Sequence, residues 1–274
     1  HRVRRVRARP LRNHRGGGRF GVSTEAMLKD HAMKKLLLAT SALLLVTACN
    51  DKAAESGSAS GGGSSIAAPA GTKWSETTAV TPDGGMLMGN PNAPVKFIEY
   101  GALTCSHCAE FAEKSKTELR AMIDKGTVSY EFRTFMLNAL DIPAALLARC
   151  NGAGTFFPIA DQLFATQRDW LGKAQAFTPA DQQQLQGLSP AELPAALAEK
   201  LGLVEFVRQR GISEEKAKAC LADAKAIDGL VSLTDKGVRE FKVQGTPTFV
   251  INGVTQENTA SWEALKPKLI DAGA

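Results

Sequence analysis

Histidine, long apolar runs and internal repeats are scarce in this 274-residue chain. It has four histidines, and His107 is the one that follows Met33, so a histidine-rich metal centre is excluded. A Ser–His or Cys–His hydrolase would have to use His107 itself as its base. No apolar run approaches the roughly 20 residues that span a bilayer, and no repeat indicates a solenoid. The five cysteines are therefore the strongest chemical signal.

The net positive charge of the chain comes from its first 35 residues. Residues 1–35 carry eleven Lys and Arg against two Asp and Glu. The whole chain has a net charge of +5 and this segment has +9, so −4 remains for residues 36–274. The arginine-rich run within residues 1–20 would suit a nucleic-acid arm. We instead expect residues 1–32 to be upstream sequence absent from the mature protein, and we expect no nucleic-acid partner.

Residues 33–48 have the pattern of a secretory signal. Met33, Lys34 and Lys35 form a positive start, and the apolar stretch of residues 36–48 has the length of a signal core rather than a membrane span. The stretch ends at Cys49 in a pattern that resembles the lipobox of bacterial lipoproteins, which implies lipidation of Cys49. Ordinary signal cleavage that leaves Cys49 free is the alternative. Residues 49–71 are rich in Ala, Gly and Ser and predict a flexible tether.

A βαβ unit is predicted at the start of the folded part. Residues 95–100 form an apolar, β-branched and aromatic run that indicates a strand. A helical pattern begins at Cys105 and stops at Lys125 and Gly126. Val128, Tyr130 and Phe132 alternate with polar residues, which predicts a second strand.

The rest of the chain is predicted to be helical and then to end in ββα. Residues 139–240 show helical spacing, with a last long helix carrying an apolar face of Ile227, Leu230, Val231, Val238 and Phe241. A strand follows at residues 248–251. Asn252-Gly253 predicts a tight hairpin turn, and residues 262–270 predict a closing helix.

The sequence Cys105-Ser106-His107-Cys108 is a C-x-x-C pair at the start of a helix that directly follows a strand. Unpaired backbone N–H groups and the helix dipole at that position favour the thiolate of Cys105. Cys108 lies one turn further and can form a disulfide with it, while His107 can add a polar or positive partner. Half of a zinc site is the alternative, but Cys150 and Cys220 stand alone and supply no second pair.

A second motif, Thr246-Pro247 just before a strand, completes a resemblance to the DsbA-like branch of the thioredoxin superfamily. The resemblance covers residues from about 86 to the end. It implies an α/β thioredoxin fold (βαβ … ββα) with an inserted helical domain. The thioredoxin parts would comprise residues 72–138 and 241–274, and the insert residues 139–240. The resemblance implies a redox-active disulfide and no other cofactor or metal.

The same resemblance assigns expected roles to single residues. Pro247 would be a cis-proline beside the disulfide, and Thr246 and Pro247 would pair with an extended substrate segment. Glu99 would lie under the active site and relay a proton to or from Cys108, whereas a surface-facing strand position is its alternative. Ser106 replaces the proline that is more frequent in this family, which leaves the redox potential open.

Cys150 and Cys220 both fall in the helical region. An exported protein meets an oxidising compartment, so we expect a structural disulfide between them. Two buried free thiols, packed as small apolar side chains, are the alternative.

Three functions remain open at this point. The first is an oxidase of the periplasm, lipid-anchored to a membrane and monomeric, that donates the Cys105–Cys108 disulfide to reduced exported proteins and is reoxidised by a DsbB-like quinone-linked membrane partner. The second is a reductase or isomerase kept reduced by another membrane protein. The third is a non-catalytic binding protein or chaperone that uses the groove beside Pro247.

Overall fold

The fold is described by a computed structural model that covers residues 65–274. Within this range, a short 3-10 helix at Trp74–Glu76 precedes six strands: β1 (Thr78–Val80), β2 (Met86–Gly89), β3 (Val95–Gly101), β4 (Val128–Thr134), β5 (Thr248–Ile251) and β6 (Val254–Thr255). The α-helices of the same range are α1 (Ser106–Asp124), α2 (Asp141–Arg149), α3 (Ala153–Ala165), α4 (Gln167–Gln175), α5 (Pro179–Gln186), α6 (Leu193–Lys200), α7 (Leu203–Arg208), α8 (Glu214–Leu221), α9 (Ala224–Phe241) and α10 (Trp262–Asp271).

The strands form one mixed sheet in the order β1-β2-β4-β3-β5-β6. The central strands β3 and β4 run parallel, joined by α1, and the other neighbouring pairs run antiparallel. This is the predicted βαβ unit followed by a ββα ending. β1 and β2 were not predicted from the sequence, because three or four residues are too few to establish a period of two.

The two faces of the sheet are covered by different helices. On one face, Phe111 of α1 packs against Phe97 of β3 and Phe249 of β5, with ring centroids 6.3 Å and 4.6 Å away. On the other face, α9 approaches Tyr100 so closely that a Cβ at Gly237 would lie 2.8 Å from the tyrosine ring. Because side chains alternate along a strand, Glu99 shares its face with Phe97 and lies under α1.

The polar side of β4 is buried, although alternation of apolar and polar residues is typical of a strand with one face in water. Arg133 is 5% exposed. Its guanidinium donates to Glu131 at 2.8 Å, to Asp83 at 3.0 Å and to the Tyr100 hydroxyl at 3.1 Å. A buried charge is tolerated when it is paired and hydrogen-bonded. Since α9 covers this face, the alternation reflects an internal ion network rather than contact with water.

Helices α2 to α9 lie between β4 and β5, which confirms a thioredoxin fold with a helical insertion. The predicted apolar face of α9 is wrong in part: Val231 and Val238 are 43% and 48% exposed, whereas Leu230 and Leu233 are buried. A helix that packs along a narrow stripe leaves apolar residues beside that stripe in solvent. α4 and α5 lie within the predicted helical region, but the sequence did not separate them as individual helices.

The hairpin between β5 and β6 turns at the predicted pair, where Asn252 and Gly253 both have positive φ (49° and 81°). Among residues 65–274, no helix is both long enough and apolar enough to cross a membrane. The predicted upstream segment, the signal, Cys49 and most of the tether lie outside the described residues.

Candidate active site

Cys105 lies at the N-cap of α1, directly after the loop that leaves β3. Its Sγ accepts a hydrogen bond of 3.2 Å from the backbone N–H of Cys108. This is the position where a helix has unpaired N–H groups and the positive end of its dipole, both of which stabilise an anion. The backbone of α1 therefore provides a built-in partner for a thiolate at Cys105.

The surroundings of Cys105 lower its pKa to about 6. The hydrogen bond with the Cys108 thiol is the largest cause, followed in the opposite direction by burial. The side chain of Thr246 and the backbone N–H groups of Cys108 and His107 lower the pKa further. At pH 7 a thiol with this pKa is present as thiolate in a ratio of about ten to one.

Cys108 and Glu99 lie deeper than Cys105 and favour their protonated forms. Cys108 is fully buried, and burial raises its pKa well above the usual value, with Cys105 and Glu99 adding to the rise. Glu99 is 1% exposed, so the surface-facing alternative is excluded. Burial raises the pKa of Glu99 to about 8, although the Tyr130 hydroxyl opposes that rise. The two sulfurs therefore differ sharply in proton affinity.

Tyr130 is a neighbour of the site that sequence reasoning missed. Its hydroxyl donates a hydrogen bond of 2.6 Å to Oε2 of Glu99. In the sequence, Tyr130 appeared only as one apolar member of an alternating strand. Its contact with Glu99 depends on the parallel register of β3 and β4, in which Phe97 is opposite Tyr130 and Glu99 is opposite Phe132. No local signal in the sequence indicates that register.

Thr246 and Pro247 lie beside the redox pair, although 141 residues separate Cys105 from Thr246. The Cys105 thiol donates to the carbonyl oxygen of Thr246, at 3.3 Å from Sγ. The Thr246–Pro247 peptide bond is cis. The structure thus brings the two sequence motifs together at one end of the sheet.

Ser106 and His107 are exposed at the start of α1, and the His107 side chain is 74% accessible. Nδ1 of His107 lies 3.9 Å from a carboxylate oxygen of Glu110, so the imidazole has an acidic neighbour. Both residues also line a groove of about 800 Å³. Ala112 and Phe164 are among its apolar lining residues.

Gln167 and Asp141 hold the loop that carries Cys105, and neither was predicted. The side-chain amide of Gln167, which begins α4, donates to the carbonyls of Leu103 and Cys105 at 2.8 Å and 3.0 Å. Asp141, at the start of α2, accepts from the backbone N–H of Thr104 at 2.9 Å and from its hydroxyl at 3.0 Å. The helical insertion therefore supports the loop directly.

Cys150 and Cys220 form a disulfide that links the end of α2 to α8, outside this constellation. Cys105 and Cys108 are free thiols. In the part of the chain that the structure describes, no cluster of three or more His, Cys, Asp or Glu side chains is arranged to hold a metal ion.

Comparison with known proteins agrees with this geometry: strand, dithiol helix and cis-proline define a protein of thioredoxin fold. Residues 81–272 match the family model described as Thioredoxin. The chain belongs to the thioredoxin family. Residues 33–50 match the model of the prokaryotic membrane lipoprotein lipid attachment site.

Similar proteins include two from Rickettsia whose names describe protein-disulfide oxidoreductases. The chain is 28% identical over 174 residues to the one from Rickettsia bellii, covering 63% of this chain and 59% of that protein. It is 30% identical over 191 residues to the one from Rickettsia typhi, covering 68% of this chain and 62% of that protein. The chain thus spans about 60% of the length of these curated relatives.

Two solved structures are also similar. A protein-disulfide isomerase from Novosphingobium aromaticivorans is 28% identical, with a TM-score of 0.65, and the match covers 68% of this chain and 95% of that one. Alpha-DsbA1 of Wolbachia pipientis is 21% identical, with a TM-score of 0.56 and coverage of 71% and 93%, and supports the fold alone.

Proposed function

We propose that this protein is a thiol–disulfide oxidoreductase of the bacterial cell envelope that donates a Cys105–Cys108 disulfide to exported proteins. The observation that carries the proposal is the difference in pKa between the two thiols. At the N-terminus of α1, the pKa of Cys105 is lowered to about 6, whereas burial raises the pKa of Cys108. Stabilising one thiolate of a dithiol favours the reduced form and makes the disulfide an oxidant.

The proposed reaction begins with the oxidised protein. A thiolate of the client attacks Cys105, the Cys105–Cys108 bond breaks, and Cys108 leaves as a thiolate that takes up a proton. A second client thiolate then attacks the client sulfur of the mixed disulfide and releases Cys105 as a thiolate. The client is oxidised by two electrons and the protein is reduced. A low pKa at Cys105 speeds the last step, because low-pKa thiols leave faster.

Thr246 and Pro247 are proposed to bind the client. Their position beside the Cys105 sulfur, 3.3 Å from the Thr246 carbonyl oxygen, supports a role in holding an extended segment along the disulfide. Ser106 and His107 would contact the same client, since both are exposed next to the sulfur. Glu99 would exchange the proton of Cys108.

The proposed location is the periplasmic side of a membrane, with a lipid on Cys49. The match of residues 33–50 to the lipoprotein attachment site supports this anchor. Mass spectrometry of the mature N-terminal peptide should find a lipid on Cys49, and an unmodified cysteine there would contradict the anchor. Reoxidation would require an electron acceptor such as a quinone-linked membrane protein of the DsbB type, and we propose a monomer as the working form.

An equilibrium titration with reduced and oxidised glutathione tests the direction of the reaction. We expect the Cys105–Cys108 disulfide to be more oxidising than the glutathione pool of the cytosol, in the range of known disulfide donors. A reductase would show a potential close to that of thioredoxin. In parallel, Cys108→Ala should accumulate client mixed disulfides at Cys105, and Cys105→Ala should not. If Cys105→Ala aids client folding as well as the wild-type protein does, the protein is a binding protein instead.

A further inference from the structure

Only one of the two carboxyl oxygens of the buried Glu99 is hydrogen-bonded within residues 65–274. Oε2 accepts a hydrogen bond of 2.6 Å from the Tyr130 hydroxyl. Oε1 is also buried but has no hydrogen-bond partner among residues 65–274. A buried carboxylate oxygen without a partner is costly, so its persistence requires a reason. The proton that Cys108 must lose or gain gives such an oxygen a chemical use, since the charge of Glu99 raises the pKa of Cys108.

Gly101 preserves the space around this free oxygen. A Cβ at residue 101 would lie 2.9 Å from Oε1 of Glu99 and 2.6 Å from the ring of Phe132. Any side chain there would therefore displace the carboxylate or the ring. The glycine at the end of β3 therefore leaves room for Oε1.

The Tyr130 ring is fixed, so its hydroxyl is a rigid donor. The ring stacks on Phe97 with centroids 5.2 Å apart and contacts Phe157 at 5.7 Å. Burial, followed by the charge of Glu99, raises the pKa of Tyr130 well above its usual value. The hydroxyl consequently keeps its proton throughout the neutral range and can only donate to Glu99.

We infer that Tyr130 is a positioning residue for Glu99: its hydroxyl engages Oε2 and leaves Oε1 as the atom that exchanges a proton with Cys108. This inference rests on the proposed function. When Cys108 attacks a mixed disulfide at Cys105, its proton passes to Oε1, the Cys105–Cys108 bond forms, and the bound partner leaves as a thiolate. The dithiol is oxidised and the partner is reduced.

Other titratable groups around Glu99 affect the pH dependence of this proton transfer. The charge of Cys105, at the N-cap of α1, raises the pKa of Glu99, whereas the Tyr130 hydroxyl of β4 lowers it. The charge of Glu99 in turn raises the pKa of Cys108. The charge of Asp161, on α3, raises the pKa of Tyr130, as the charge of Glu99 does. Without the hydroxyl of Tyr130, the carboxylate loses its donor, and the fraction of Glu99 able to accept a proton at pH 7 should fall about tenfold.

The test is the stepwise reaction of the reduced protein with dithiobisnitrobenzoate, an aromatic disulfide. The first thionitrobenzoate released reports attack by Cys105, and the second reports attack by Cys108. In Tyr130→Phe we expect the first rate to be unchanged. The second should slow about tenfold at pH 7 and approach the wild-type rate in alkali. Tyr100→Phe is the matched control, because it removes the only other tyrosine hydroxyl of the chain, on the opposite face of the same sheet.

A double-variant comparison separates positioning from simple packing. In a Glu99→Gln background, Tyr130→Phe should have no further effect on the second rate. An effect that persists in that background, or an equal slowing of both rates, would overturn the inference. A wild-type protein that never releases the second equivalent would instead contradict the proposed function. A wild type that releases both, with Tyr130→Phe indistinguishable from it, would remove the inference alone.

Discussion

The two cysteine pairs of this protein have the same side chains and opposite surroundings. Cys105 is 7% exposed and Cys108 is fully buried, yet these are the free thiols. Cys150 and Cys220 are partly exposed and joined by a disulfide that links residues 70 positions apart. Exposure alone therefore does not distinguish a reactive pair from a structural one.

Local electrostatics distinguish the pairs instead. Cys105 caps a helix of 19 residues and receives the N–H of Cys108, so its sulfur is stabilised as an anion. Cys150 follows the C-terminal end of α2, where the helix dipole disfavours a thiolate. The comparison suggests that one pair is adapted to exchange and the other to connect α2 with α8.

The largest expected effect comes from disrupting each pair in turn. Cys105→Ala should reduce disulfide exchange to the uncatalysed background, because the attacking and leaving sulfur is gone. The double variant Cys150→Ser with Cys220→Ser should retain exchange but lose roughly 2–4 kcal/mol of unfolding free energy, since the unfolded chain is no longer cross-linked.

Client oxidation and urea unfolding, measured on both variants, check this division. If loss of the Cys150–Cys220 bridge stops exchange at temperatures where the protein remains folded, that bridge is not purely structural.

A second prediction concerns pH. The folded pKa of Cys105, about 6, lies below the ordinary thiol value of 9.0. The stability that this thiolate contributes to the reduced protein is therefore complete above about pH 9 and is lost as pH falls through about 6. Ultraviolet thiolate absorbance of the reduced protein should rise with a midpoint near pH 6.

The control for this titration is Cys105→Ala, which should lack both the absorbance step and the pH-dependent gain in stability. The gain should amount to a few kcal/mol. The variant without Cys150 and Cys220 should keep both features. A midpoint near that of free cysteine would remove the electrostatic distinction between the two pairs.

The smallest expected effect concerns the support of the redox loop by the helical insertion. Gln167→Leu would leave the buried carbonyls of Leu103 and Cys105 without this donor. We expect a loss of about 1–3 kcal/mol in unfolding free energy and a slower exchange rate. Gln184→Leu, an exposed glutamine on α5, should change stability by less than about 0.5 kcal/mol. Equal effects in the two variants would show that Gln167 gives the loop no special support.

The elements that could be predicted from the sequence are those with local signals. The start of α1 at Cys105, its stop at Gly126 and the turn at Asn252-Gly253 all depend on neighbouring residues or backbone conformation. The central strand β3 was equally clear from its apolar run. The strands β1 and β2 are too short for such a signal and were missed, and the helical region was predicted without the bounds of α4 and α5.

The candidate site divides in the same way. Cys105 and Cys108 were evident as a motif, because the chemistry of a helix N-terminus is local. The contact between Tyr130 and Glu99 depends on strand register, and the contact of Gln167 with the redox loop joins residues more than 60 positions apart. Neither could be derived from a pattern within one segment.

The sequence by itself determined where a thiolate could form, since the helix start, its unpaired N–H groups and the cysteine spacing all lie within a few residues. Only the tertiary structure decided how buried that sulfur is, which groups face it, and that the polar side of β4 lies under α9. The physical reason is that desolvation and ion pairing depend on groups brought together from distant segments, whereas capping depends on the backbone of one helix.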